Sequence, residues 1–169
     1  MKKLFRRFVI FILVSSLLGI SAIAVTYKVL EPDLPDVETL RDVQLQVPLR
    51  VFSNDGKLIG VFGEKRRIPV KVEEIPDWLK QAFLAGEDAR FYEHPGLDYQ
   101  GITRAVWSLV TTGEKTIGGS TITQQLARNF FLTAEKTWTR KIKEAFLAIK
   151  IEQQLEKDEI LELYLNKIF

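Results

Sequence analysis

Residues Phe8 to Tyr27 form a run of twenty without a single charge, and Lys2, Lys3, Arg6 and Arg7 stand directly before it. No other feature limits the fold as much. A helix rises about 1.5 Å per residue, so this run spans the roughly 30 Å hydrocarbon core of a bilayer. A helix also satisfies its backbone polar groups internally, as lipid requires. With the basic residues all on the leading side, the N-terminus is expected in the cytoplasm and the remainder outside. A cleaved signal peptide is the competing reading, and Ala22-Ile23-Ala24 offers a small-x-small site. The apolar run is longer than the usual signal core of about 7–15 residues, which favours an uncleaved anchor.

The 169 residues are enough for one domain with a real core. Apolar residues make up 46% and charged residues 27%, a globular balance. There is no cysteine, which excludes disulfides, thiol nucleophiles and cysteine zinc sites together. The single histidine, His94, excludes a multi-histidine metal centre and would have to serve any Ser-His-Asp triad. A formal net charge of +2, with no basic run interleaved with aromatics beyond the membrane flank, argues against nucleic acid.

The pattern divides the chain into a cytoplasmic tail (1–7), a transmembrane helix (8–28), a linker (29–48) and a folded domain (49–169). The linker carries Pro32, Pro35 and Pro48 with Glu31, Asp33, Asp36, Glu38 and Asp42. Asn54-Asp55-Gly56 signals a hairpin turn, with Val51-Phe52 and Leu58 to Phe62 as arms. Helical spacing starts after Pro76, with Trp78, Leu79, Ala82, Phe83 and Gly86 on one face and Pro95-Gly96 as its stop. A second helix is expected from about Asp98 to Thr111, with Ile102, Ala105, Val106 and Leu109 inward. A polar loop follows from Gly113 to Gly119. A third helix starts near Ser120 or Thr121 and ends around Phe131. A fourth runs from Thr137 toward Leu155, with Ile142, Ala145, Phe146 and Ile149 as its stripe. A fifth carries Ile160, Leu161, Tyr164 and Leu165. Phe169 lies within an amphipathic pattern with no stop signal, so the chain reads as a piece of a longer protein.

Four segments could carry chemistry. Glu87, Asp88 and Glu93 surround a helix end ahead of His94-Pro95-Gly96. A carboxylate there can face a cleft and act as a general base, or it can be an ordinary solvated helix end. His94 beside Pro-Gly suits a turn-stabilising hydrogen bond. Gly118-Gly119-Ser120-Thr121-Ile122-Thr123-Gln124-Gln125 sets two glycines before a hydroxyl-rich helix start. Free N–H groups and the helix dipole suit a phosphate or a sugar hydroxyl, and plain N-capping is the alternative. No Gly-Lys-Ser/Thr follows, so it is not a P-loop. Arg140, Lys141 and Glu144 share a helix face, either as a surface ion-pair ladder or as a cationic pair for an anionic leaving group. Lys157 to Asn166 reads first as core packing. Phe130, Phe131, Leu132 and Trp138 gather with Arg128, Lys136 and Arg140, which suits a membrane interface as well as a core.

Taken in this order, the segments resemble the family 51 glycosyltransferases. These are the peptidoglycan polymerase domains of class A penicillin-binding proteins and of monofunctional transglycosylases. Glu87, Asp88, Phe91, His94 and Gly96 match the family's Glu-Asp-x-x-Phe-x-x-His-x-Gly. Gly118 to Gln125 match Gly-Gly-Ser-Thr-Ile-Thr-Gln-Gln at every position. Arg140, Lys141 and Glu144 match Arg-Lys-x-x-Glu, and Ile160 to Asn166 match Ile-Leu-Glu-x-Tyr-Leu-Asn. The resemblance covers roughly Ile75 to Phe169.

It implies a mainly α, lysozyme-like helical domain with a small membrane-associated lobe, preceded by the transmembrane helix and a short β-hairpin region. It also implies inverting polymerisation of lipid II into β-1,4-linked glycan strands with release of undecaprenyl diphosphate. Glu87 matches the general base and Glu144 the second acid. Asp88, Phe91, Gly119, Ser120, Thr121, Gln124, Gln125, Arg128, Asn129, Arg140 and Lys141 match positions around the substrate. A divalent cation, magnesium or manganese, is left open, with Glu144 as its one candidate ligand. The implied partners are lipid II, the growing strand, the membrane and other cell-wall synthesis proteins. The implied location is the cytoplasmic membrane with the domain on the periplasmic side. No Ser-x-x-Lys occurs in the chain, so a penicillin-binding transpeptidase site is not expected within it. Two other readings stand beside this one: a lysozyme-like muralytic enzyme, and a membrane-anchored scaffold or inactive fragment.

Overall fold

The computed structural model describes residues 2–41, 48–63, 68–113, 118–133, 135 and 137–168. Asp42, Lys136, Phe169 and positions 114–117 of the expected polar loop lie outside them. Among the described residues the architecture is mainly helical, with six α-helices and one two-stranded sheet.

The first unit is α1 (Lys2–Leu30) and the turn Glu31–Asp33 that follows. The helix starts at Lys2, so the basic tail is part of it. None of its residues is buried. It is long and apolar enough to cross a membrane.

The second unit starts at Asp36. Asp36 caps the short turn Val37–Leu40 by accepting from the Glu38 amide at 3.0 Å, and Val37 and Leu40 are buried. The folded unit therefore begins inside the segment read from sequence as linker. Strands β1 (Leu49–Phe52) and β2 (Leu58–Phe62) pair antiparallel, Leu49 opposite Phe62, as the turn signal predicts. Gly56 closes that turn at φ 80°, donating to the Ser53 carbonyl at 2.9 Å.

Helix α2 (Asp77–Glu87) is followed by α3 (Tyr99–Thr112), α4 (Ile122–Phe131), α5 (Trp138–Gln154) and α6 (Lys157–Ile168). Asp98, Thr121 and Thr137 cap α3, α4 and α5 with side-chain oxygens. The core lies where α4 packs on α5 and α6. Ile122, Leu126, Leu147, Ala148, Ile151, Ile160 and Leu161 meet there with no exposed surface. Asn166 holds the approaching chain by bonding both the amide and the carbonyl of Val70, at 2.9 and 2.8 Å.

Three sequence expectations are corrected. Helix α2 ends at Glu87, well before Pro95-Gly96, because Asp88 leaves the helix to make tertiary hydrogen bonds. Trp78, Ala82 and Gly86 stay exposed, and so do Ile102, Val106 and Leu109 of α3, which buries no residue at all. The buried face of α5 is Glu144, Leu147, Ala148 and Ile151, rotated from the expected stripe. A purely apolar pattern could not find it, because a carboxylate sits on it.

Gly96 packs against backbone that leaves no room for a side chain. Its φ is +91°, and a Cβ would lie 2.8 Å from the Ala148 carbonyl oxygen. Gly96→Ala is expected to lower the domain's stability by about 2 kcal/mol, read by urea denaturation.

Candidate active site

The end of α2, the turn after it and the start of α4 converge on one open cleft of about 160 Å³. Glu87 closes α2 and is exposed on the cleft wall, with Gly119, Ser120 and Arg104 around it. The Gln125 amide donates to Glu87 Oε2 at 2.8 Å. Among the described residues, Glu87 Oε1 has no hydrogen-bond partner, and Glu87 lines the cleft.

Asp88 sets the frame. It is buried, and it accepts from His94 Nε2 at 3.0 Å and from the Ile122 amide at 3.0 Å. One carboxylate thus ties the Glu87 turn to the first turn of α4. Thr121 adds a second tie. Its hydroxyl donates to the Gly96 carbonyl at 2.7 Å and accepts from the Gln124 amide at 3.2 Å. Gln124 returns the contact by accepting from the Thr121 amide at 3.1 Å, which completes a capping box. Gly118-Gly119-Ser120 is therefore presented at a firmly capped helix N-terminus, where the dipole favours negative charge.

The cations lie behind Ser120. The Lys141 ammonium donates to Ser120 Oγ at 2.7 Å and pairs with Glu144 at 2.8 Å. Arg140 pairs with the other Glu144 oxygen. Glu144 is only 1% exposed, so the surface-ladder reading does not hold. It is a buried counter-ion to both cations, and Lys141 reaches Ser120 on the cleft wall. Two positive charges against one negative leave a local excess of +1, which suits an anion. The Arg140 Nε is buried without a hydrogen-bond partner among the described residues. A divalent cation does not fit at Glu144, where one carboxylate is already flanked by two cations. Among the described residues no group of three or more metal-type side chains gathers.

Of the residues singled out in the sequence, Glu87, Asp88, Gly119, Ser120 and Thr121 line the cleft. Gln125 joins through Glu87, and Arg140, Lys141 and Glu144 join through Ser120. Phe91 and Gln124 are turned into the interior. Phe91 lies under the Lys157 ammonium at 4.4 Å. Arg128 is half-buried and Asn129 exposed. The aromatic group does not form a core: Trp138 is 86% exposed, and Phe130 and Phe131 are half-buried.

Sequence reasoning missed three contributors. Arg90 and Asp98 pair across the His94-Pro95-Gly96 turn and line the cleft. Their opposite charges, flanking a Pro-Gly turn, were a usable signal. Tyr164, read only as core, reaches the site. Its hydroxyl donates to Gln125 Oε1 at 3.3 Å. Burial pushes its pKa up to about 12, with Glu87 adding to the effect and Arg128 opposing it.

A carboxylate with one open oxygen, set against a capped helix start backed by paired cations, is equipped to take a proton at one end and hold an anion at the other. The transglycosylase family model matches residues 55–169, and the chain belongs to that family. Its similar relatives include penicillin-binding protein 1A of Vibrio cholerae serotype O1, 58% identical over 167 residues, covering 99% of this chain and 20% of the relative. Penicillin-binding protein 1A of Escherichia coli is 56% identical over 167 residues, again 99% and 20%. That of Haemophilus influenzae is 61% identical over 126 residues, 75% of this chain and 15% of the relative. The chain spans about a fifth of the length of the first two relatives.

Proposed function

We propose that this chain carries the peptidoglycan glycosyltransferase activity of a class A penicillin-binding protein and polymerises lipid II. Glu87 takes the proton from the acceptor's sugar 4-hydroxyl as that oxygen attacks the donor's anomeric carbon. The carbon inverts, a β-1,4 link forms, and undecaprenyl diphosphate leaves with the bonding electrons. The diphosphate carries two negative charges as a diester and takes on a third as it leaves, so it needs cations rather than a proton. Arg140 and Lys141 supply that charge, together with the α4 N-terminus, and Glu144 keeps them in place.

The observation that carries this reading is the linkage of Glu87 to the Arg140–Lys141 pair across Ser120. A muralytic enzyme has no use for a buried-acid-anchored cation pair, since glycoside hydrolysis turns on two carboxyl groups flanking the bond. The substrate's lipid requires a bilayer surface. The apolar α1 fits a single span that leaves the domain on the periplasmic side. Val106, Trp107 and Val110, exposed along α3, suit the membrane-associated lobe.

The direct test gives labelled lipid II to the full-length protein in detergent micelles. Polymer and free undecaprenyl diphosphate should appear together. Breakdown of preformed glycan without polymer would favour the muralytic reading. Neither reaction, from folded protein, would favour the scaffold.

A further inference from the structure

We propose that Tyr164 is a positioning residue for Glu87, acting through the side-chain amide of Gln125. This rests on the reading of Glu87 as the base. The three side chains come from three helices: Tyr164 from α6, Gln125 from α4 and Glu87 from the end of α2. The phenol donates to Gln125 Oε1 at 3.3 Å, and Gln125 Nε2 donates to Glu87 Oε2 at 2.8 Å.

The two ends of a glutamine amide are nearly the same size, so shape alone does not decide which end faces a neighbour. The ionised Glu87, an acceptor only, draws the N–H end of the amide toward itself, since the reversed amide would set a carbonyl oxygen against a carboxylate. Tyr164 then donates to the Oε1 at the far end and holds the amide in that place. Tyr164 is 3% exposed and keeps its proton up to about pH 12, so the donor is present throughout the working range.

The consequence is geometric. The amide occupies Glu87 Oε2 from the protein side, and the carboxylate plane is held with Oε1 turned to the cleft. A base on an exposed helix end would otherwise rotate freely, and part of each encounter would be spent in unproductive orientations. The relay also gives a use to the hydroxyl of this buried residue of α6. A phenylalanine there would leave Gln125 Oε1 without its donor.

The test is a double-mutant cycle on the full-length protein with labelled lipid II. Tyr164→Phe should lower kcat roughly five- to tenfold with KM changed by less than about twofold. Gln125→Met should lower kcat at least as much. Tyr164→Phe added to Gln125→Met should cost nothing further, because the relay is already broken. Tyr92→Phe is the control. Its hydroxyl donates to Asp158 at 2.8 Å at the start of the same helix, so it removes a comparable phenol bond away from the site. It should leave kcat alone. Unchanged kcat in Tyr164→Phe, or an equal loss in the Gln125→Met background, overturns the relay. Should Tyr164→Phe fail to fold, wild-type kcat in the half-buried Gln125→Met does the same. Glu87→Gln separates the two ideas. If that variant is inactive while the tyrosine variant is normal, only the relay fails. If it is active, the base assignment itself is wrong.

Discussion

Glu87→Gln should reduce lipid II polymerisation on the order of 10³-fold while the protein still folds and still binds its substrate. The substitution keeps the shape and replaces the proton-accepting oxygen pair with a group that cannot act as a base. Glu87 is exposed and, among the described residues, makes one side-chain hydrogen bond, to Gln125, so little folding energy depends on it. The thermal melting curve should therefore overlay that of wild type. A polymer yield close to wild type, from a variant shown to bind lipid II, would remove Glu87 from the chemistry.

Glu144→Gln should behave differently, losing both stability and activity. Glu144 is almost fully buried between Arg140 and Lys141, whose side chains are 16% and 38% exposed. Neutralising it leaves two cations facing each other with a weaker acceptor between them. Removing one partner of a buried ion pair costs about 3–5 kcal/mol, and the low end applies because Lys141 can turn toward solvent. About 3 kcal/mol corresponds to a fall in melting temperature of roughly 6–12 °C for a domain of this size. Catalysis should fall roughly 100-fold even at temperatures where the variant is folded, because the cations no longer point at the leaving group. A variant with normal melting and normal turnover would show that the buried acid organises nothing.

Much of this was legible in the residues. The long apolar α1 follows from an uncharged run of sufficient length, and the hairpin from Asn54-Asp55-Gly56. The start of α4 was placed to within two residues because Ser120 or Thr121, following two glycines, suits a helix N-cap. What could not be read depends on tertiary competition. The end of α2 was misplaced because Asp88 abandons helical geometry for His94 and the Ile122 amide, partners distant enough in sequence that no local rule reaches them. The face of α5 was misplaced because hydrophobic periodicity treats a glutamate as outward, whereas Glu144 is buried by the very cations beside it. Phe91 and Gln124 were read as substrate contacts because they sit within motif segments. Proximity in sequence to a functional residue does not distinguish a side chain that meets the substrate from one that supports the wall. Tyr164 was read as core, and it is buried, but its hydroxyl has a second use that only the neighbouring amide reveals.

The two hydrogen bonds received by Asp88 have a further consequence. Because one buried carboxylate holds both the turn bearing Glu87 and the opening of α4, the proposed mechanism has the spacing between proton removal and anion capture set when the chain folds. Under that mechanism each turnover begins with reactive groups already aligned, and the ordering entropy is met once per molecule instead of once per bond made. A catalyst built this way should lose rate through small backbone displacements long before it loses its shape.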